Sequence, residues 1–429
     1  MGTTQDAVRD SRSLDTAARS AVESAGADVR EAGPDDHIDG VAPALVARPG
    51  STDQVAEVLR AAAAHGLAVV ARGRGTKLCW GRPPDCVDLV VDLGAMDRVL
   101  DHAAGDLIVE TQAGTPLADL QETVAREGQR LALDETVPGA SVGGTLAAGT
   151  SGPGRVATGT LRDLLIGVTV VRADGVVARS GGRVVKNVAG YDLGKLMHGS
   201  YGTLAVVTEA LFRLHPLPVA RRFLSVPVAD AADAHRLAQA VVHSQVVAGA
   251  LEVDLPAQGP GMLTVLLEGS AAGVLGRAST TLRLLGPGAD AGDEAPQGWG
   301  HHPWPVTARG DGRSTGLKLT FALSGLADVL ETAGRGPAPV HVRGSAGVGV
   351  VYGGIASGTD VAVVAETVRE LRAVCERHRG TTVVLDAPAA VKDAVDVWGP
   401  IPALDLMRRV KDRFDPDHRL APGRYVGGI

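Results

Sequence analysis

"PGASVGGTLAAGTSG" at positions 138–152 holds five glycines, three alanines, four hydroxyl side chains and no charge. Glycine adopts left-handed backbone readily, so successive amides can turn into one concavity that binds anionic oxygens without a cationic side chain. The competing reading is a Gly/Ala connector. A linker, however, is richer in Ser, Pro and charge than this. Strong elements also bracket the stretch. "TPLADLQETVAREG" (115–128) reads as a helix with Thr115 as cap, Pro116 at the first position and Gly128 as stop. "LLIGVTVVRADGVVARSGG" (164–182) reads as a hairpin turning at Asp174 and Gly175.

A second glycine run, "RGRGTK" (72–77), lies upstream. It follows the capped helix "STDQVAEVLRAAAAHG" (51–66) and the apolar strand "LAVVA" (67–71), the opening of an α/β layer with loops at strand carboxyl ends. Dinucleotide GxGxxG fails at 73–78, where Leu78 takes the last place, and at 347–352, where Tyr352 does. The nucleotide P-loop pattern also fails in "GYDLGKL" (190–196): only three residues separate Gly190 from Gly194, and Leu196 replaces the magnesium-binding hydroxyl.

The 429 residues call for two cores. A formal charge of -7 and 3% aromatics oppose a nucleic-acid partner. Cys79, Cys86 and Cys375 are odd in number and lack CxxC spacing, so neither a disulfide framework nor a four-cysteine cluster fits, and a cytoplasmic setting is expected. No signal-peptide run or transmembrane segment is read. Residues 1–35 are taken as a peripheral, helical N-terminal extension. A boundary falls near Pro216 and Pro218. From 219 to 400 strands and helices alternate in an α+β pattern around an unstructured loop at 286–305, and 401–429 form a helix and a Pro-Gly tail. No internal repeat is visible.

Taken in order, "HIDGVAPALVARP", "GLAVVARGRGTKLCWGRPP", "DLIVETQAGTPLADLQ", "PGASVGGTLAAGTSGP", "GTLRDLLIGVTVVRADG", "VVKNVAGYDLGKLMHGSYGTLAVVTEALFRLHPLP" and "FDPDHRLAPGRYVGGI" resemble the FAD-binding domain of the vanillyl-alcohol oxidase and p-cresol methylhydroxylase superfamily. More narrowly, they resemble the FAD-binding E subunit of bacterial glycolate oxidase. The resemblance implies an α+β fold: a two-lobed PCMH-type FAD-binding domain over 36–218, a smaller ferredoxin-like α+β cap or substrate domain over 219–400, and a tail, 401–429, returning to the FAD domain. It implies that Arg72, Gly73, Arg74, Gly75, Thr76 and Lys77 converge on the FAD pyrophosphate with Pro138, Gly139, Ala140, Ser141, Val142, Gly143, Gly144 and Thr145. Gly149, Thr150, Ser151, Gly152, Gly159, Thr160 and Asp163 would run beside the ribityl chain and ring. Gly202, Leu204, Val206 and Val207 would hold the adenosine, and Arg424 joins the set.

Relatives usually have glycine where Arg74 stands, and a left-handed arginine would cost about 1–2 kcal/mol. Gly149 and Ala421 stand where relatives often carry Asn. No His or Cys stands near Thr76 for a covalent link, so noncovalent FAD is expected. A flavin brings hydride chemistry, which would suit oxidation of a 2-hydroxy acid of the glycolate or D-lactate type. Among His301, His302, Trp304, Arg309, Lys318, His341 and Arg343, the first choices are His301, His302 and Arg343: an arginine for a carboxylate, a histidine near a hydroxyl. The plain alternative is solvated histidines in a Gly/Pro loop and surface cations on strands. The HxGDGNxH metal motif of the D-type subunit is absent, and no metal is expected. The alternative function is therefore an accessory FAD subunit, working with a D-type flavoprotein and an iron-sulfur partner, with membrane association through those subunits. A reductase fed by NADPH is a third, remoter class.

Overall fold

A computed structural model describes residues 14–183, 192–306, 310 and 312–429. Arg309 and residues 184–191 of the "VVKNVAGYD" stretch lie outside the described residues.

The first lobe is built on a four-stranded sheet in the order Asp28–Glu31, Leu45–Arg48, Leu89–Asp92, Val69–Arg72. The last three strands are parallel. Their apolar runs are buried, as parallel strands covered by crossovers require. Helix Thr52–Ala64 makes one crossover. Ser51 caps it by accepting from the Gln54 amide (3.2 Å), while Gln54 reaches back to the amide of Gly50 rather than Ser51. Its Val55, Val58 and Leu59 are fully buried, about 1.5–3 kcal/mol of apolar transfer each.

A five-stranded antiparallel sheet forms the second lobe, in the order Val99–Ala103, Ile108–Gln112, Val206–Arg213, Leu165–Val171, Val177–Gly181. Asp174 and Gly175 turn its outer hairpin, Gly175 at φ +77°. One hydrophobic cluster unites both lobes. Ala18 and Val22 of helix Thr16–Glu23 belong to it, and Asp28–Glu31 is an edge strand. The segment from residue 14 to 35 is thus integral to this core, contrary to the peripheral placement expected from its charged composition.

Residues 220–386 carry an eight-stranded antiparallel sheet. Its strands run β-α-β-β-α-β twice. Ala220–Val228, Ala250–Leu255, Gly261–Gly269 and Asp290–Gly292 alternate with helices Ala231–Val242 and Ala271–Leu285. Thr315–Thr320, Val340–Ser345, Val350–Ile355 and Thr382–Asp386 alternate with helices Leu326–Arg335 and Val361–Arg377. Each half has the ferredoxin-like order, and the halves join through Ala250–Leu255 and Val340–Ser345. This repeat is one of topology, which explains why no sequence self-similarity announces it. The 286–305 loop is more ordered than its composition suggests. Asp290–Gly292 pairs at the sheet edge, Trp299 packs edge-on against Phe223 and Trp304 is buried.

Buried charges lock the cap sheet to the first lobe. Asp39 accepts from Arg313 Nη2 (3.0 Å) and Lys392 Nζ (2.6 Å), while Arg313 Nη1 reaches Asp386 (3.1 Å). Lys392 also donates to the Cys79 carbonyl. Helix Leu404–Phe414 then returns the chain to the first lobe. Its fully buried Lys411 donates to Asp415 (2.7 Å) and to the carbonyls of Thr203 (2.7 Å) and Leu420 (3.0 Å).

Candidate functional site: a glycine-walled cleft and an interdomain chamber

The stretch 140–143 runs along 113–117. Leu117 donates to the Ala140 carbonyl (2.9 Å), Val142 to that of Thr115 (2.9 Å) and Gly143 to that of Ala113 (2.7 Å). Thr115 is therefore engaged through its backbone, and Pro116 rather than Thr115 is the N-cap of helix Leu117–Ala125. Ser141 caps the short helix Val142–Ala148, accepting from the Gly144 amide (3.2 Å). Against it lies the 72–77 loop. A Cβ on Gly73 would stand 2.1 Å from Ser141 Oγ, and one on Gly143 would stand 2.7 Å from the Ala113 Cβ. At Gly73 the neighbour is the Ser141 side chain, and at Gly143 it is the Ala113 methyl and backbone.

The two glycine runs line one open cleft. Of the residues singled out from sequence, Arg72, Gly73, Arg74, Gly75, Thr76, Lys77, Ser141, Gly143, Gly144, Gly202, Val207 and Arg424 face it. Ser151 and Gly152 line a second cavity instead. Pro138, Gly139, Ala140, Val142, Thr145, Gly149, Thr150, Gly159, Thr160, Asp163, Leu204 and Val206 line neither. Ala140, Val142, Leu204 and Val206 are core residues, whereas Thr160 and Asp163 are locally paired: Asp163 accepts from the Thr160 amide (2.8 Å) and hydroxyl (2.9 Å).

Charge in the cleft is divided unequally. Arg72 is tied to Asp36 (2.8 Å) and Asp92 (2.7 Å), so it braces the loop and is not free to meet an anion. Arg74 is exposed and has no ion pair among the described residues, and its φ is not positive, so the strain expected for arginine there does not arise; Gly75 takes the left-handed turn at φ +72°. Lys77 is buried and, among the described residues, its ammonium reaches Thr76 Oγ1 (3.3 Å). Burial pushes its ammonium down to about 8, with Glu135 opposing. Arg424 is buried and donates from Nη2 to the carbonyls of Lys77 (3.3 Å), Leu78 (2.7 Å) and Trp80 (3.0 Å), clamping the tail onto the loop.

The second cavity, small at about 20 Å³, lies between the Ser151–Arg155 turn and the cap sheet. His301, His302 and Arg343 all line it. His302 is buried against Trp304 (4.6 Å between ring centroids), Tyr352 (4.5 Å) and Trp80 (5.4 Å), with neither ring nitrogen partnered. Burial lowers its pKa to about 3, helped by Lys77 and His301. Arg343 is already committed: it donates to Asp254 (2.8 Å) and the Gly298 carbonyl (3.0 Å), and His341 Nε2 shares the same Asp254 (2.6 Å). Trp304 packs on Gly316 as a core residue. Lys318 has no ion pair among the described residues, and burial, with Arg155 nearby, lowers it to about 8.

Sequence reasoning passed over Arg155, Glu252, Ser345 and Tyr352, which complete this cavity. Glu252 had a signal: a carboxylate inside the apolar strand "ALEVDL", where four consecutive residues are buried. His198, beside Gly149, was also missed; burial and the nearby Lys318 and Arg162 lower it to about 4. Among the described residues no group of three or more His, Cys, Asp or Glu could hold a metal ion, and no helix is long and apolar enough to cross a membrane.

Residues 43–181 match the FAD binding domain family. Over 216 residues the chain is 32% identical to the glycolate oxidase subunit GlcD of Bacillus subtilis, covering 50% of this chain and 46% of that one. It is 35% identical over 152 residues to the subunit GlcE of Escherichia coli (35% and 43% covered), and 35% over 191 residues to a D-2-hydroxyglutarate dehydrogenase of Xanthomonas citri (44% and 40%). The chain thus spans under half the length of these relatives. The solved structure of BBE-like 1 from Physcomitrella patens superposes with a TM-score of 0.67 at 15% identity, covering 94% of this chain and 98% of that one, a likeness of fold. The glycine-walled cleft therefore lies largely within a segment similar to the FAD binding domain and to glycolate oxidase subunits, here joined to a cap built of two ferredoxin-like units.

Proposed function

We propose that the chain is an FAD-dependent oxidoreductase that oxidises a small 2-hydroxy acid, with FAD held noncovalently in the glycine-walled cleft. The observation that carries this reading is the meeting of the two runs at Gly73 and Ser141, inside the segment that matches the FAD-binding family. The cleft fits the cofactor chemically: its close backbone approaches leave no room for side chains, and Arg74 and Lys77 face it without a carboxylate partner. Bound FAD supplies the hydride acceptor. Arg74 and the loop amides offset the two pyrophosphate charges. The Cys79 thiol, three residues past Thr76, is half-buried and its pKa is raised, chiefly by desolvation, which disfavours the thiolate a covalent link needs.

The substrate then sits against the interdomain cavity, where Arg155 has no ion-pair partner among the described residues and His302, neutral above about pH 3, can accept a hydrogen bond from the substrate hydroxyl. Anaerobic mixing of the yellow protein with glycolate or D-lactate should bleach the flavin absorbance. A colourless protein that takes up no FAD would overturn the reading. A specific observation favours a second reading, an accessory flavoprotein within a larger complex containing a D-type flavoprotein and an iron-sulfur subunit: Arg343 and His341, two of the candidate acid-binding groups, are both spent on Asp254. Retained colour that no hydroxy acid bleaches supports that reading.

A further inference from the structure

Two carboxyl groups approach one another across the seam between the first lobe and the cap. Glu252 is buried on cap strand Ala250–Leu255, and Asp134 belongs to the segment that leads into the glycine-rich stretch. The turn 152–155 lies against both. Asp134 Oδ2 accepts from the Gly154 amide (2.8 Å), and a Cβ on Gly152 would stand 2.6 Å from that of Asp134. Helix Arg155–Thr158 continues the turn. Its Thr158 hydroxyl donates back to the Ala132 carbonyl (3.1 Å), and its Val156 lies against Gly347, whose amide donates to the Leu251 carbonyl (3.4 Å). Residues 132–136, 152–158 and 250–252 thus form one layered contact.

Nearby cations are committed elsewhere: Arg130 pairs with Glu268 (2.6 Å) and Arg343 with Asp254 (2.8 Å). Among the described residues neither Asp134 nor Glu252 has an ion pair, and Arg155 lines the cavity without one. That cavity, about 20 Å³, has room for about one water molecule. Glu252 Oε1, Ser345 Oγ and Thr136 Oγ1 belong to its walls and are buried without a partner among the described residues. One water can bridge neutral groups of this kind; it cannot replace the hydration shell of a buried carboxylate.

We infer that Glu252 and Asp134 form a proton-operated latch: the seam between residues 152–158 and the cap sheet is tight while the pair holds a proton, and loosens when both carboxyls are charged. The latch stands on this seam alone and takes nothing from the redox reading.

Desolvation raises the Glu252 carboxyl well above the usual carboxylate range and the Asp134 charge adds to it, while Ser345, Arg155 and Arg343 oppose. Asp134 is raised as well, first by desolvation and then by Glu268, against the Gly154 amide and Arg130. Tyr352 and His302 also face the cavity, but burial holds the first at about 12 and the second at about 3, so neither changes charge near neutral pH. His301 faces it too, and His301→Gln serves as the control for that ring. A raised carboxyl keeps a proton in the tight seam that it gives up once exposed. Tightening therefore takes up a proton: it is fully favoured in the acidic range and is lost as pH climbs from the ordinary carboxylate range to the raised value.

Amide hydrogen exchange of the full chain between pH 5.5 and 8.5, corrected for intrinsic exchange rates, tests the latch. Relative to helix Thr52–Ala64, protection of 152–158 and 250–255 should fall at least tenfold across the range, and equally in His301→Gln. Glu252→Gln keeps the shape but cannot ionise, so its protection should stay within about threefold from end to end. Asp134→Asn removes the neighbouring charge and should shrink the fall. Constant protection in the parent, a fall in Glu252→Gln as large as the parent's, its disappearance in His301→Gln, or a full-sized fall in Asp134→Asn would each overturn the inference.

Discussion

Gly73 and Ser141 set the central geometry, because the space a methyl group would need on one is filled by the hydroxyl of the other at 2.1 Å. Gly73→Ala should cost about 1–3 kcal/mol through overpacking and reduce FAD retention, measured by urea unfolding and by flavin absorbance per chain. Ser141→Ala alone should cost about 1 kcal/mol as a lost N-cap. Combined, the two should cost less than their sum, since removing the hydroxyl makes room for the new methyl; strict additivity would contradict the contact. Lys77 offers a pH test. Its depressed pKa means that the ligand-free protein favours the neutral amine above about pH 8 and carries the charge below it. FAD affinity should therefore be higher at pH 7 than at pH 9, and Lys77→Met should flatten that difference.

At the scale of elements, the helix Leu404–Phe414 is held by a lysine with no exposed surface. Lys411→Met would leave Asp415 charged, buried and without its partner, a loss of about 3–5 kcal/mol that a lowered urea midpoint would register. The sequence shows this helix but not its anchor, since an i,i+4 lysine–aspartate pair reads as surface decoration until three chain segments close over it. The same limit applies in the cleft. Alternating glycines in 72–77 and the small residues of 138–152 announce a backbone shaped for close contact, and hydrophobic spacing places the elements around them. What spacing cannot report is partnership. Arg72 and Arg74 look equivalent in "RGRGTK", yet the first is taken by Asp36 and Asp92, which arrive from distant strands. Arg343 is diverted by Asp254 in the same way.

Across the whole molecule, the cap meets the FAD-binding domain through the buried charges of Asp39, Arg313, Asp386 and Lys392 and through Tyr352, whose hydroxyl donates to the Ser151 carbonyl (3.3 Å). Asp39→Ala strips both Arg313 and Lys392 of their shared acceptor. It should destabilise the chain by about 3–5 kcal/mol and, because each domain keeps its own hydrophobic cluster, broaden or split the thermal transition. An unchanged single transition would show that the network does not couple the domains. The α+β class was legible from element order. The doubled cap was not, because its repeat lies in hydrogen-bonding order, and neither was the chamber, whose walls come from positions 136, 155, 252, 302 and 345.

Amide hydrogen exchange of the full chain, with and without FAD, tests the central claim most directly. If residues 72–77 and 141–148 close on one dinucleotide, both segments should slow together on adding FAD, in proportion to the fraction of chain loaded. Protection of only one segment, or of neither while the flavin remains bound, would contradict the account.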